Sequence, residues 1–277
     1  MTMTDTSATV VLDPNRNVPG VRRQGIGDAL RAEWIKFWTV RSTSWSMVAM
    51  FVLGAGLTVL VRATSAEWLA GGEADENPAS FVTWGMMFAQ ITAIVLGTLA
   101  VTSEYGTGMI RATLAATPSR GTVLVAKGVV LSATLFVAGT LTAFAGYVGG
   151  NWFLDNEGVG IALSDEGVLR AMFGSGLYMA GLGLLAAAVG LLVRHTAAAL
   201  SIVLALVFVV GTMVFLLPGA WGEWLAKLMP GNAGSGITAP VSFNPNLLDP
   251  WIGFAVFSGE VAVVLLVAYL VFRRRDA

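Results

Sequence analysis

The chain has 277 residues, 56% of them hydrophobic and only 12% charged, about half of the roughly 25% charge that a soluble globular chain carries, which argues against a water-soluble enzyme. A net charge of −1 gives no basis for nucleic-acid binding or long-range steering. With no cysteine and one histidine, disulfides, thiolate metal sites, cysteine nucleophiles and histidine-rich metal centres fall away, and no catalytic, cofactor or metal site is expected in this chain.

Residues 1–25 are polar, with Pro14, Pro19 and Gly20, and the first apolar run begins only near Ser44, too far in for a secretory signal peptide. They read as a disordered cytoplasmic tail, and residues 26–277 as a single transmembrane domain. From Ile26 to Arg41, at about 100° per residue, Ile26, Ala29, Leu30, Trp34, Phe37, Trp38 and Val40 fall on one arc, with Asp28 and Arg31 opposite. Glu33 and Arg41 interrupt that arc and Ile35 lies on the polar side, so two readings stand: an interfacial helix carried by Trp34, Phe37 and Trp38, or a plain juxtamembrane linker. Indole rings favour the headgroup zone, which supports the first.

Six stretches then meet the roughly 20-residue requirement for crossing about 30 Å of hydrocarbon: 44–61, 81–102, 128–150, 171–193, 196–217 and 251–272. Only Arg194 and His195 separate the fourth from the fifth, which predicts a very tight helical hairpin. The connection 218–250 is long and rich in Pro and Gly, and the spacing of Trp221, Trp224, Leu225 and Leu228 predicts a short interfacial or partly re-entrant helix within it.

All of the sixteen Lys and Arg residues except Arg62, Arg170 and Lys227 fall on one side of these spans. Most of the acids fall on the other, among them Glu67, Glu73, Asp75, Glu76, Asp155, Glu157, Asp165 and Glu166. Basic residues are retained in the cytoplasm, so both termini are expected inside, in a multi-pass protein of the cytoplasmic membrane.

The loop after the second stretch begins Ser103, Glu104, Tyr105, Gly106, Thr107, Gly108, Met109, Ile110, Arg111 and continues through Leu114 to Pro118, Arg120 and Gly121. Its glycines permit a sharp exit, its middle suits a short amphipathic helix, and Pro118 stops it, which predicts a compact cytoplasmic knob. This segment resembles the Glu-Tyr-x-x-Gly-Thr-Ile-Arg-x-x-Leu-x-x-x-Pro-x-Arg run of ABC type-2 permeases, particularly actinobacterial drug and peptide exporters, and departs from it at Gly106 and Met109. Leu228 to Gly234 is similar to a Leu-x-Pro-x-Asn-Ala-Gly run in the outer connection of the same family.

The resemblance implies an all-α integral membrane fold: six transmembrane helices, an N-terminal amphipathic interfacial helix, a cytoplasmic coupling helix between spans 2 and 3, and a long outer connection with a short helix between spans 5 and 6. It implies the permease subunit of an exporter moving a hydrophobic or amphipathic substrate, a drug, peptide antibiotic or lipid, by alternating access. Two copies of the chain would face each other in lipid over two copies of a separate ATP-binding subunit, which binds the ATP and Mg and performs the hydrolysis. Coupling to that subunit is carried over to Glu104, Tyr105, Gly108, Ile110, Arg111, Leu114, Pro118 and Arg120. The nearest approach to a phosphate loop in this chain, Gly121 to Gly128, has Ala126 and Gly128 at the wrong places and runs into a span.

Glu260 lies inside the sixth stretch, roughly 18 Å from its cytoplasmic end at ~1.5 Å per residue, where an unpaired carboxylate costs several kcal/mol in lipid. It reads either as part of a translocation path or gate, or as a protonated or hydrogen-bonded packing residue. His195 and Ser175 do not form a catalytic dyad, because twenty residues of one helix separate them by about 30 Å; His195 reads as the cap of a helix turn. Gly146 and Gly150, four apart, are expected to serve helix packing within the chain. Two competing functions follow from the same residues: an ion-coupled secondary transporter using Glu260, and a non-transporting membrane sensor or immunity scaffold.

Overall fold

A computed structural model describes residues 25–71, 77–116, 119–241, 244 and 246–274. Every regular element among them is helical, and six helices are long and apolar enough to cross a membrane: Arg41–Ala70, Pro78–Gly106, Arg120–Asn156, Val168–Val193, Thr196–Leu216 and Pro250–Arg274. We number these spans 1 to 6. The expected all-α, six-span architecture is the observed one, and the chain is a multi-span membrane protein. The tail at residues 1–24, the acids Glu73, Asp75 and Glu76, and Pro118 lie outside the described residues.

Several spans outrun the apolar stretches. Span 1 continues past Arg62 to Ala70, and span 3 has 37 residues, Arg120 to Asn156, about 55 Å of helix. The charged residues that close an apolar window do not end the helix, because Arg62 and Lys127 are buried and find polar partners on neighbouring helices. Between spans 4 and 5 the chain turns on Arg194, at φ 58°, and His195 caps the next helix, its Nδ1 accepting from Ala198 N at 3.3 Å. Ser175 is buried and donates to its own helix at Ala171 O, so neither member of the rejected dyad is free for chemistry with the other.

Spans 2 and 4 form the buried centre of the bundle, with spans 1, 5 and 6 more exposed. Their contact is close because Gly97 has no side chain: a Cβ there would strike the Gly183 backbone, while a Cβ on Gly183 would strike Leu135 of span 3, the close approach that small residues allow in lipid. Span 1 docks on span 3 in the same manner, with Gly146 against Ala55 and Thr58 and Gly150 against the Arg62 side chain. The Gly146 and Gly150 pair therefore packs helices within one chain, as expected.

The connection from span 5 to span 6 contains two short helices, Gly219–Leu228 and Pro230–Ser235. The first leaves Trp221, Trp224, Leu225 and Leu228 exposed. The second is buried inside the bundle. Gly231 lies against Val207 of span 5, Gly234 against Tyr178 of span 4, and Gly253 of span 6 against Ala233. Tyr178 stands ten residues into span 4, so this segment folds inward about 15 Å from the span's start. Asn232 fastens it, donating to Gly211 O at 3.1 Å and Ala226 O at 2.9 Å. Span 5 departs from α geometry where it receives the segment, with a π turn at Ala205–Val210.

Candidate functional site

One end of the bundle gathers most of the basic residues. The helix Ile26–Thr39 lies there, leaving Trp34 and Trp38 exposed while Phe37 is half-buried against the core. Glu33, which interrupts its apolar face in the sequence, is buried because it meets a cation: Lys127 Nζ donates to Glu33 Oε2 at 2.7 Å. The same ammonium donates to Glu104 Oε1 at 2.6 Å, and Lys36 pairs with that oxygen as well. Two carboxylates and two ammonium groups thus neutralise one another in a cluster joining the N-terminal helix to the end of span 2 and the start of span 3. Glu104 and Lys127 are almost wholly enclosed. Removing one member of such a pair typically costs about 3–5 kcal/mol, because the other charge is left buried and uncompensated.

Beyond Glu104 the chain leaves span 2 through a left-handed glycine, Gly108 at φ 71°, a conformation that other residues adopt only at a cost. The helix Met109–Ala116 follows, between spans 2 and 3. Ile110 is buried, whereas Met109 and Arg111 are exposed; Leu114 belongs to this helix. On either side of it, two residues reach other spans. The Arg194 guanidinium, from the turn between spans 4 and 5, lies 4.9 Å over the Tyr105 ring. Arg120, at the start of span 3, donates to Phe272 O at 2.7 Å and lies 5.7 Å over the Phe272 ring, placing a cation at the carbonyl end of span 6 where the helix dipole favours one.

The residues assigned to coupling therefore divide. Glu104, Tyr105, Ile110 and Arg120 are turned into the protein, Gly108 shapes the turn, and Arg111 faces outward. Sequence reasoning passed over Glu33, Lys36 and Lys127 as cluster members. The usable signal was the carboxylate on an apolar face, since such a residue needs a buried partner.

At the opposite end Arg62 is fully buried, contrary to its expected place in an outer loop. It donates to Tyr147 O at 3.2 Å and Asn151 Oδ1 at 2.8 Å, with its guanidinium 5.7 Å from the Tyr147 ring. Asn151 in turn donates to both Asp155 carboxylate oxygens at 3.0 and 3.1 Å, so the charge reaches an acid through an amide.

A cavity of about 320 Å³ lies between spans 2, 4 and 5 and the inward-folded segment. Gln90 and Tyr178 form part of its wall, joined by a 2.9 Å hydrogen bond from the Tyr178 hydroxyl to Gln90 Oε1. Glu260 is not among its lining residues. That carboxylate is half-buried in span 6, and its Oε2 is enclosed with no hydrogen-bond partner among the described residues. No cluster of three or more metal-binding side chains occurs among the described residues.

No family model matches the chain. No curated protein matches it either.

Proposed function

We propose that this chain is the permease subunit of an ATP-binding-cassette exporter, with both termini in the bacterial cytoplasm and a separate ATP-binding subunit supplying the work. One observation carries the reading. The short segment from Glu104 to Arg120 touches four other parts of the basic end: Lys36 of the N-terminal helix, Lys127 of span 3, Arg194 between spans 4 and 5, and Phe272 of span 6. A push on the helix Met109–Ala116 would therefore be delivered to several helices at once. The buried Ile110 side chain and the ion cluster make the connection stiff, while the exposed Met109 and Arg111 supply a docking face. In this mechanism Glu104, Tyr105, Ile110 and Arg120 transmit force, and Arg111 meets the partner. The helix Ile26–Thr39 rides on the inner leaflet through Trp34 and Trp38, and two copies of the chain enclose the cargo path.

Purification of the tagged full chain from its own host tests this. The expected result is retention of an ATP-binding protein, released by Arg111→Glu at an unchanged unfolding temperature. Failure to retain any ATP-binding protein overturns the reading. The enclosed, unpartnered Glu260 Oε2 favours a second reading, a carrier driven by protonation of Glu260, which predicts loss of proton-driven transport in Glu260→Gln.

A further inference from the structure

We infer that the 320 Å³ cavity beside the inward-folded segment is a binding site for an uncharged, single-chain or small-ring amphiphile bearing a hydroxyl or amide. Its volume is at the lower end of small-molecule pockets, about 300–1,000 Å³, which suits one acyl chain or one small drug and not a folded peptide. None of its lining residues among the described ones is charged. An ion entering it would lose hydration without a counter-charge, so net charge is selected against.

The wall nevertheless carries polar atoms with capacity left over. Asn232 uses both amide hydrogens on Gly211 O and Ala226 O, and its Oδ1 accepts no hydrogen bond among the described residues. Gln90 Nε2 spends one hydrogen on Met87 O at 2.8 Å and has no second acceptor among the described residues. One acceptor and one donor suit a hydroxyl or a secondary amide, which offers both in return. The lining residues Met87 and Thr212 are themselves exposed on spans 2 and 5, so the cavity opens at the flank of the bundle. Thr212 stands four residues from the end of span 5, about 6 Å. Hydrocarbon reaching through that mouth would leave the Asn232 and Gln90 groups unsatisfied, whereas a molecule with a neutral polar head satisfies them and keeps its apolar body among Trp84, Val207 and Phe208.

The occupant is cargo if the exporter reading holds and a resident lipid otherwise; binding itself needs no ATP-binding subunit. The test uses the full chain in nanodiscs and a monoacylglycerol with a diazirine in its acyl chain, beside the fatty acid and the alkyltrimethylammonium of the same chain. Peptide mapping after irradiation should place adducts of the neutral compound within 207–212 and 231–239, at least fivefold above either charged analogue. Thr212→Trp, which closes the mouth, should reduce them at least fivefold, while Leu141→Trp on the exposed face of span 3 should not. If Thr212→Trp fails to fold, Met87→Trp closes the same mouth from span 2. Equal labelling by all three compounds, or labelling indifferent to a folded mouth variant, overturns the inference. With a partner subunit added, depletion of the adducts by ATP identifies cargo, and persistence identifies resident lipid; both arms presuppose the binding, so loss of the exporter reading leaves the site standing.

Discussion

Lys127 holds Glu33 at 2.7 Å across 94 residues of sequence. The pair belongs to a cluster in which the two carboxylates do not have equal support. Glu104 has both Lys127 and Lys36, whereas Glu33 has Lys127 alone among the described residues.

The first prediction follows from that inequality. Lys127→Met strands Glu33 and should destabilise the protein by about 3–5 kcal/mol. Glu33→Leu leaves Lys127 paired with Glu104 and should cost less by about 1 kcal/mol or more. Denaturant unfolding in detergent, followed by tryptophan fluorescence, gives the order; equal costs would show that Glu33 is not held by Lys127.

Arg62 should behave as a fastener of spans 1 and 3. Arg62→Ala removes a buried guanidinium with its two hydrogen bonds and is expected to cost about 3 kcal/mol. Asn151→Ala leaves Arg62 enclosed with one partner fewer and is expected to cost about 1–3 kcal/mol. Asp155→Asn should be milder than either, because Asp155 makes no direct hydrogen bond to Arg62 among the described residues and is linked to it by hydrogen bonds through Asn151. Unfolding midpoints that rank Asp155→Asn as the most damaging would contradict this order.

Orientation is directly testable because the chain has no cysteine of its own. Cysteines placed at Ala112 and at Glu157, both exposed and at opposite ends of the bundle, should react oppositely with a membrane-impermeant maleimide. Intact cells should label position 157 and leave position 112 unlabelled until they are permeabilised. The reverse pattern would invert the proposed topology and remove the short helix from reach of a cytoplasmic ATPase.

Glu260→Gln should preserve expression and ATP-driven activity within about twofold if the exporter reading is right, since the carboxylate lines neither the cavity nor the basic-end cluster. A transport loss at normal expression would move the balance to the proton-driven carrier.

The six spans were legible because hydrocarbon imposes a length and a composition that few other environments require. Their ends were not. Charge was read as a loop signal at Arg62 and Lys127, and each proved to be a buried residue whose partners lie on another helix, a pairing that hydropathy along one strand of sequence does not register. The helix Ile26–Thr39 was legible from its period, and Glu33 looked like an imperfection only because Lys127 is distant in sequence. The run from Leu228 to Gly234 was recognisable as a motif of the outer connection, yet the inward course of Pro230–Ser235 depends on Val207 and Tyr178 from two other spans. The cavity beside it had no sequence signature, since its wall is assembled from four separate parts of the chain.

Gly97 and Gly183 bring the main chains of spans 2 and 4 into direct contact. At that crossing there is no compressible side-chain layer between the two rods, so a shift of one there is carried to the other. Changes of shape are then easier at the periphery, and spans 1 and 5 have the means: each carries a π turn, at Val52–Gly56 and Ala205–Val210, where one register of hydrogen bonds can be exchanged for another. Spans 2 and 4 would be the fixed spine, and the bending would fall to their neighbours.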